Sequence, residues 1–105
     1  MTYVLRFIQS YKPGHKQEFL ALESKFQDLE QQSKTLPKGR RSQPLAGSEP
    51  TNTLIWECEF PNLAAVQEAL ASFDNDPEHA RLFEQQAPFI VQVRTEILER
   101  LTFSA

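Results

Sequence analysis

Two periodicities take turns along this chain, one of two residues and one of three to four. Residues 2–9 open with Tyr3, Val4, Leu5, Phe7 and Ile8, the β-branched, aromatic and aliphatic composition of a strand. Both faces of that strand are mostly apolar, which predicts burial on both sides. Tyr11-Lys12-Pro13-Gly14 breaks the run, because proline fixes φ and glycine relaxes it. From about His15 to Ser33 the spacing changes. Phe19, Leu22, Phe26 and Leu29 recur at threes and fours, which predicts a long helix with one apolar stripe. Lys16, Glu23, Lys25, Asp28, Gln31 and Gln32 form its polar remainder. Leu36-Pro37 ends it, since a residue before proline avoids helical geometry. Residues 38–50 are broken by Gly39, Pro44, Gly47 and Pro50. They leave room for a short strand around Arg40 to Leu45, which Pro44 confines to a sheet edge.

Strict alternation returns over residues 51–60. Leu54, Trp56, Cys58 and Phe60 fall on one face, and Thr53, Ile55, Glu57 and Glu59 on the other. Pro61 stops this strand. Asn62 suits the N-cap of a helix from Leu63 to about Phe73, with Val66, Leu70 and Phe73 inward. Asp76-Pro77 is a second start signal and opens a short helix to Gln86 carrying Ala80, Leu82 and Phe83. Pro88 closes it, and residues 89–101 make the last strand. Strand, helix, strand, strand, helix pair, strand is the split βαβ order. It predicts one α+β domain over residues 1–105, ferredoxin-like βαββαβ, with an antiparallel sheet in the order 4-1-3-2.

Helices then cover one sheet face only. Alternation places Val4, Arg6 and Ile8, then Ile55, Glu57 and Glu59, then Gln92, Arg94, Glu96 and Leu98 on the other. Aliphatics mixed with opposed charges suit a sheet packed against its twin, because Arg6, Glu57 and Arg94 inside such a barrel must be paired. A chain of 105 residues buries roughly two-thirds of its unfolded surface, so a second copy would also enlarge a thin core. The expected partner is therefore a second copy of this chain.

Composition narrows the remaining partners. Eleven Lys and Arg against 14 Asp and Glu give a net charge of −3. Nucleic acid is not expected, since phosphate neutralisation needs clustered basic residues. The one basic cluster, Lys38-Gly39-Arg40-Arg41, reads as a solvated loop or edge strand. Cys58 is the sole cysteine, so no intrachain disulfide forms, which fits a cytoplasmic interior. No apolar stretch approaches the roughly 20 residues of a membrane span, and the N-terminus shows no secretory signal.

Short motifs along the chain carry a family likeness. Tyr3-Val4-Leu5-Arg6-Phe7, Lys12-Pro13-Gly14 and Glu18-Phe19 are similar to the opening of NIPSNAP-like proteins. Ile55-Trp56-Glu57 on a strand, Leu63-Ala64-Ala65 at a helix start and Asp76-Pro77-Glu78 resemble the second half of the same repeat. The likeness spans nearly the whole chain apart from about residues 34–51, where Arg40-Arg41-Ser42-Gln43 followed by Pro44 departs from the pattern. The resemblance implies a dimeric α+β barrel, two ferredoxin-like sheets face to face. That superfamily includes antibiotic-biosynthesis-type monooxygenases and muconolactone isomerases. NIPSNAP-like members mostly lack a defined reaction, so the likeness implies fold and pairing more than activity.

Candidate chemistry is sparse. His15 and His79 have no Cys or His at ligand spacing, so no metal and no cofactor are expected. Cys58, between Trp56 and Phe60, reads as core with a raised thiol pKa. Glu57 and Glu59 beside Arg6 and Arg94 read as ion pairs inside the barrel, or as a grip on an anion with Glu57 as base. The favoured pocket lies between the sheet and the long helix, lined by Trp56, Phe26, Phe7, Tyr3 and Phe73. Tyr11 or His15 would stand at its mouth, and Arg40 or Arg41 would cap an acidic ligand. The same aromatics equally serve as core filling. Three functions fit: a small homodimeric barrel binding an apolar or aromatic molecule, a cofactor-independent monooxygenase or isomerase, and a protein-interaction module.

Overall fold

The computed structural model describes residues 1–104. Along the chain run β1 (Thr2–Tyr11), α1 (Lys16–Gln32), β2 (Arg40–Ser42), β3 (Thr53–Phe60), α2 (Leu63–Asp74), α3 (Pro77–Gln86) and β4 (Ile90–Arg100). The sheet order is β2-β3-β1-β4 with every neighbouring pair antiparallel, the ferredoxin-like arrangement. β1 and β3 are central, and β2 and β4 are the edges.

Local chemistry sets the boundaries. The Asn62 side chain accepts a hydrogen bond from the Ala65 N–H at 2.8 Å, and Asp76 accepts from the His79 N–H at 2.9 Å. Both satisfy orphan donors of a first helical turn. β1 runs two residues past the expected end. Its last residue is held by the loop before β3: the Tyr11 N–H donates to the Asn52 carbonyl at 3.0 Å and Asn52 Nδ2 donates to the Tyr11 carbonyl at 2.7 Å. The β1–β4 register slips there. Ser10 faces Gln92, whereas Tyr11 faces Ile90. Val91 is the extra residue of a bulge, and the slip brings Ile90 inward.

Two apolar clusters lie between sheet and helices. Leu5, Trp56 and Val66 centre one, with Phe7, Cys58, Phe60 and Phe73 packed around them. Tyr11, Phe19 and Leu54 centre the other, with Phe89 and Ile90. On α1 the buried face differs from the expected stripe. Phe19, Glu23, Phe26 and Glu30 are buried, while Leu22 and Leu29 flank them half-buried. Two carboxylates occupy core positions because β2 brings a cation beneath them.

The other sheet face lacks helices. Arg6 there contacts Glu57 at 3.0 Å and Glu96 at 3.7 Å, each only partly screened from solvent. At one end the β2–β3 connection crosses the face, since Glu49 pairs with Arg94 on the far edge strand. Ile8 and Thr53 are buried at that end of the face. β4 remains exposed on both sides: Leu98 is solvent-facing on this open face, and Val93 and Ile97, opposite Gln9 and Leu5, are so on the helix-covered one. Among the described residues, no helix is long and apolar enough to cross a membrane.

Candidate functional site

Strand alternation puts Phe7 and Trp56 directly opposite each other on the helix-covered face. Their rings lie 5.2 Å apart, and Phe73 of α2 stands edge-on to both at 5.7 Å. His79, in the first turn of α3, lies against Phe26 and Phe73 at 4.9 Å each. These rings wall a cavity of about 150 Å³ between the sheet, α1 and α3. Phe83 and Val93, 44% and 43% exposed, form its lip between α3 and β4.

The floor is charged. Residues spaced four, three and four along α1 share one face, so Glu23 and Glu30 point inward beside Phe19 and Phe26. Arg41 of β2 sits opposite Trp56 and reaches under the helix. Its Nε donates to Glu23 Oε2 at 2.6 Å, and its Nη1 and Nη2 donate to Glu30 at 3.1 and 2.6 Å, a bidentate fork. The Gly39 N–H (3.0 Å) and Trp56 Nε1 (3.3 Å) also donate to Glu30 Oε1. Gln86 Nε2 donates to Glu23 Oε1 at 2.9 Å and to the Phe19 carbonyl at 3.4 Å. Glu30 is 3% exposed and Glu23 6%, so these bonds are what makes their burial tolerable. Burial alone would lower the Arg41 pKa; hydrogen bonds and Coulomb attraction from Glu30 and Glu23 outweigh it, and the guanidinium sits above its ordinary value.

His79 goes the other way. Burial holds its pKa below the ordinary histidine value, against the pull of Asp76, Glu30, Glu23 and Asp74 around it. The unfolded chain therefore takes up a proton first as pH falls below about 6.5, and folding stability declines through that window toward the folded pKa. Substituting His79→Gln should flatten the decline in Tm between about pH 7 and pH 5. Equal slopes for the variant and the natural chain would mean a freely solvated imidazole.

Of the residues picked from sequence, Trp56, Phe26, Phe7, Phe73 and Arg41 meet at this cavity. Arg41 is not open to cap an acidic ligand, because Glu23 and Glu30 already engage it. Tyr11 and His15 lie elsewhere. Tyr11 is buried in the second cluster, stacked on Phe19 at 4.7 Å. His15 is exposed at the start of α1, 2.7 Å from Glu18 and against Phe89. Tyr3 packs on the first cluster. Arg6, Glu57 and Arg94 do share the opposite sheet face, Arg6 opposite Glu57 and Arg94 opposite Ile8. Cys58 is half-buried, and burial pushes its thiol pKa up. Among the described residues no three His, Cys, Asp or Glu side chains cluster as metal ligands would. Sequence reasoning missed Glu23, Glu30, His79 and Gln86 as site residues. The signal for Glu23 and Glu30 was the 19, 23, 26, 30 spacing, in which acids alternate with phenylalanines on one stripe of α1; His79 and Gln86, on α3, gave none.

No family model matches this chain, and no curated protein matches it. Solved structures do. The chain adopts the fold of NIPSNAP proteins. It superposes on a NIPSNAP family protein from Agrobacterium tumefaciens with a TM-score of 0.79 at 19% identity, covering 99% of this chain and 97% of that one. An uncharacterized NIPSNAP-like domain protein from Burkholderia xenovorans gives 0.77 at 18%, over 99% and 89%. An antibiotic biosynthesis monooxygenase gives 0.68 at 14%, over 97% and 100%. At these identities the likeness is one of fold, which the resemblance read from the short motifs implied. Chemically, the cavity of this NIPSNAP-type fold offers aromatic faces, carboxylate acceptors and a neutral-leaning imidazole.

Proposed function

We propose that this protein is a NIPSNAP-like homodimeric barrel that binds a small apolar or aromatic molecule between the sheet and its helices. The observation that carries this reading is the aromatic cavity left open above a buried charged floor. About 150 Å³ is room for a benzene-sized ring. A purely structural core would gain from replacing the charges and the void with aliphatic packing. Trp56 is the only tryptophan and forms a wall, so its fluorescence reports on the site directly. Titration with single-ring ligands is expected to give a saturable change. No response to any ring-sized compound would overturn the reading.

Pairing is supported by the bare sheet face. Val4 and Ile55, half-buried, flank the Arg6–Glu57 and Arg6–Glu96 contacts. A facing twin would bury the aliphatics and dry the ion pairs. Light scattering at micromolar concentration should give twice 12.1 kDa; a folded monomer would contradict the pairing. Arg6→Ala should weaken the dimer at least about tenfold by orphaning Glu57, since breaking a buried pair is costly. An unaffected dimer would place Arg6 outside the interface. A cytoplasmic setting fits the free Cys58.

A second reading, a cofactor-independent monooxygenase, uses the same cavity. The likeness to an antibiotic biosynthesis monooxygenase and the imidazole held against two rings favour it. Oxygen uptake on adding a hydroquinone, abolished in His79→Gln, would establish it, and no uptake would dismiss it.

A further inference from the structure

We propose that the cavity selects a small organic ammonium ion, a protonated amine carried on a single ring or short apolar stem. This rests on the cavity being a ligand site. It adds the charge of the ligand, which follows from the inventory of the floor.

Two carboxylates, Glu23 and Glu30, face one guanidinium, Arg41. The formal balance is one negative charge in excess, in a part of the protein shielded from water. Glu30 is saturated: its Oε1 takes N–H groups from Gly39, Arg41 and Trp56, and its Oε2 takes one from Arg41. Glu23 is not. It accepts one bond on each oxygen, from Arg41 and Gln86, and so keeps acceptor capacity, and its side chain lines the cavity. Gln86, 1% exposed, spends its amide nitrogen on Glu23 and the Phe19 carbonyl. Its side chain lines the cavity beside Glu23. Unspent acceptors and surplus negative charge call for a donor-rich cation.

The walls call for the same thing. Phe7, Phe26, Trp56 and Phe73 surround the space, and the faces of such rings attract a desolvated ammonium. Anions fare badly at both surfaces, meeting ring faces and a carboxylate that Arg41 only partly offsets. Neutral rings gain the apolar contact but leave the spare capacity of Glu23 unanswered, the situation in which polar sites discriminate most strongly.

Isothermal titration of the full chain with three isosteric probes at neutral pH decides the matter. Benzylammonium is expected to bind at least tenfold tighter than benzyl alcohol, about 1.4 kcal/mol, and benzoate is expected not to saturate. Glu23→Gln keeps the side-chain shape and should cut the preference for the amine over benzyl alcohol to under about threefold. Equal affinity for benzylammonium and benzyl alcohol in the natural chain, or saturable benzoate binding, would overturn the amine assignment while leaving the cavity a ligand site. Silence from all three probes together with no Trp56 response to any ring would overturn both. The comparison in the natural chain stands whether or not the variant folds.

Discussion

Replacing Arg41 with alanine should bring the protein close to unfolding at room temperature. Among the described residues, Arg41 is the only cation in hydrogen-bond contact with Glu23 and Glu30, which are 6% and 3% exposed. Removing it leaves two buried carboxylates facing each other across a low-dielectric floor. Breaking a buried pair in this way costs roughly 3–5 kcal/mol, against a total stability of about 5–15 kcal/mol for a domain. Urea denaturation measures the loss as a lower midpoint. Lysine should not rescue it, because one ammonium cannot reproduce the fork onto Glu30 together with the Nε bond to Glu23. Replacing all three charged residues with methionine should recover much of the loss, since apolar side chains of similar volume tolerate such sites. An Arg41→Ala variant within about 1 kcal/mol of the natural chain would mean that water reaches those carboxylates freely.

Gly39→Ala should be nearly as damaging, for a reason of space. A Cβ on Gly39 would lie 1.9 Å from Trp56 Nε1 and 2.0 Å from Cε2, well inside van der Waals contact. The indole would have to swing away. Doing so breaks its hydrogen bond to Glu30 and removes a cavity wall. Overpacking of this kind costs about 1–3 kcal/mol or more, a fall in Tm on the order of 10 °C for a chain of this length. The emission of Trp56 should shift as its surroundings change. An unaltered Tm and spectrum would show that the indole can move aside without loss.

The architecture was legible because its signals are local. Alternation in residues 51–60, the Asn62 cap and the Asp76-Pro77 start each act within a few residues; both caps stand where they were read, and the strand begins two residues later, at Thr53. The floor of the cavity was not legible, because its meaning is non-local. Glu23 on a helix is a solvated residue by every short-range rule. It becomes a core residue only when β2, joined to α1 through residues 33–39, delivers Arg41 beneath it. Tyr11 was misread for a related reason. A tyrosine beside Lys12-Pro13 looks like a loop residue, but Asn52 extends β1 to include it and stacks it on Phe19.

The short β2 edge gains an unexpected permanence from its ties to Glu30. A strand of three residues at a sheet margin would ordinarily fray and reclose many times before the domain unfolds. Here fraying would pull the Gly39 N–H and the Arg41 fork from a carboxylate near the end of α1, stranding it. Edge and helix must therefore open in one cooperative step, so the margin of the sheet is latched and the Gly39 amide is expected to exchange with solvent as slowly as those of the interior.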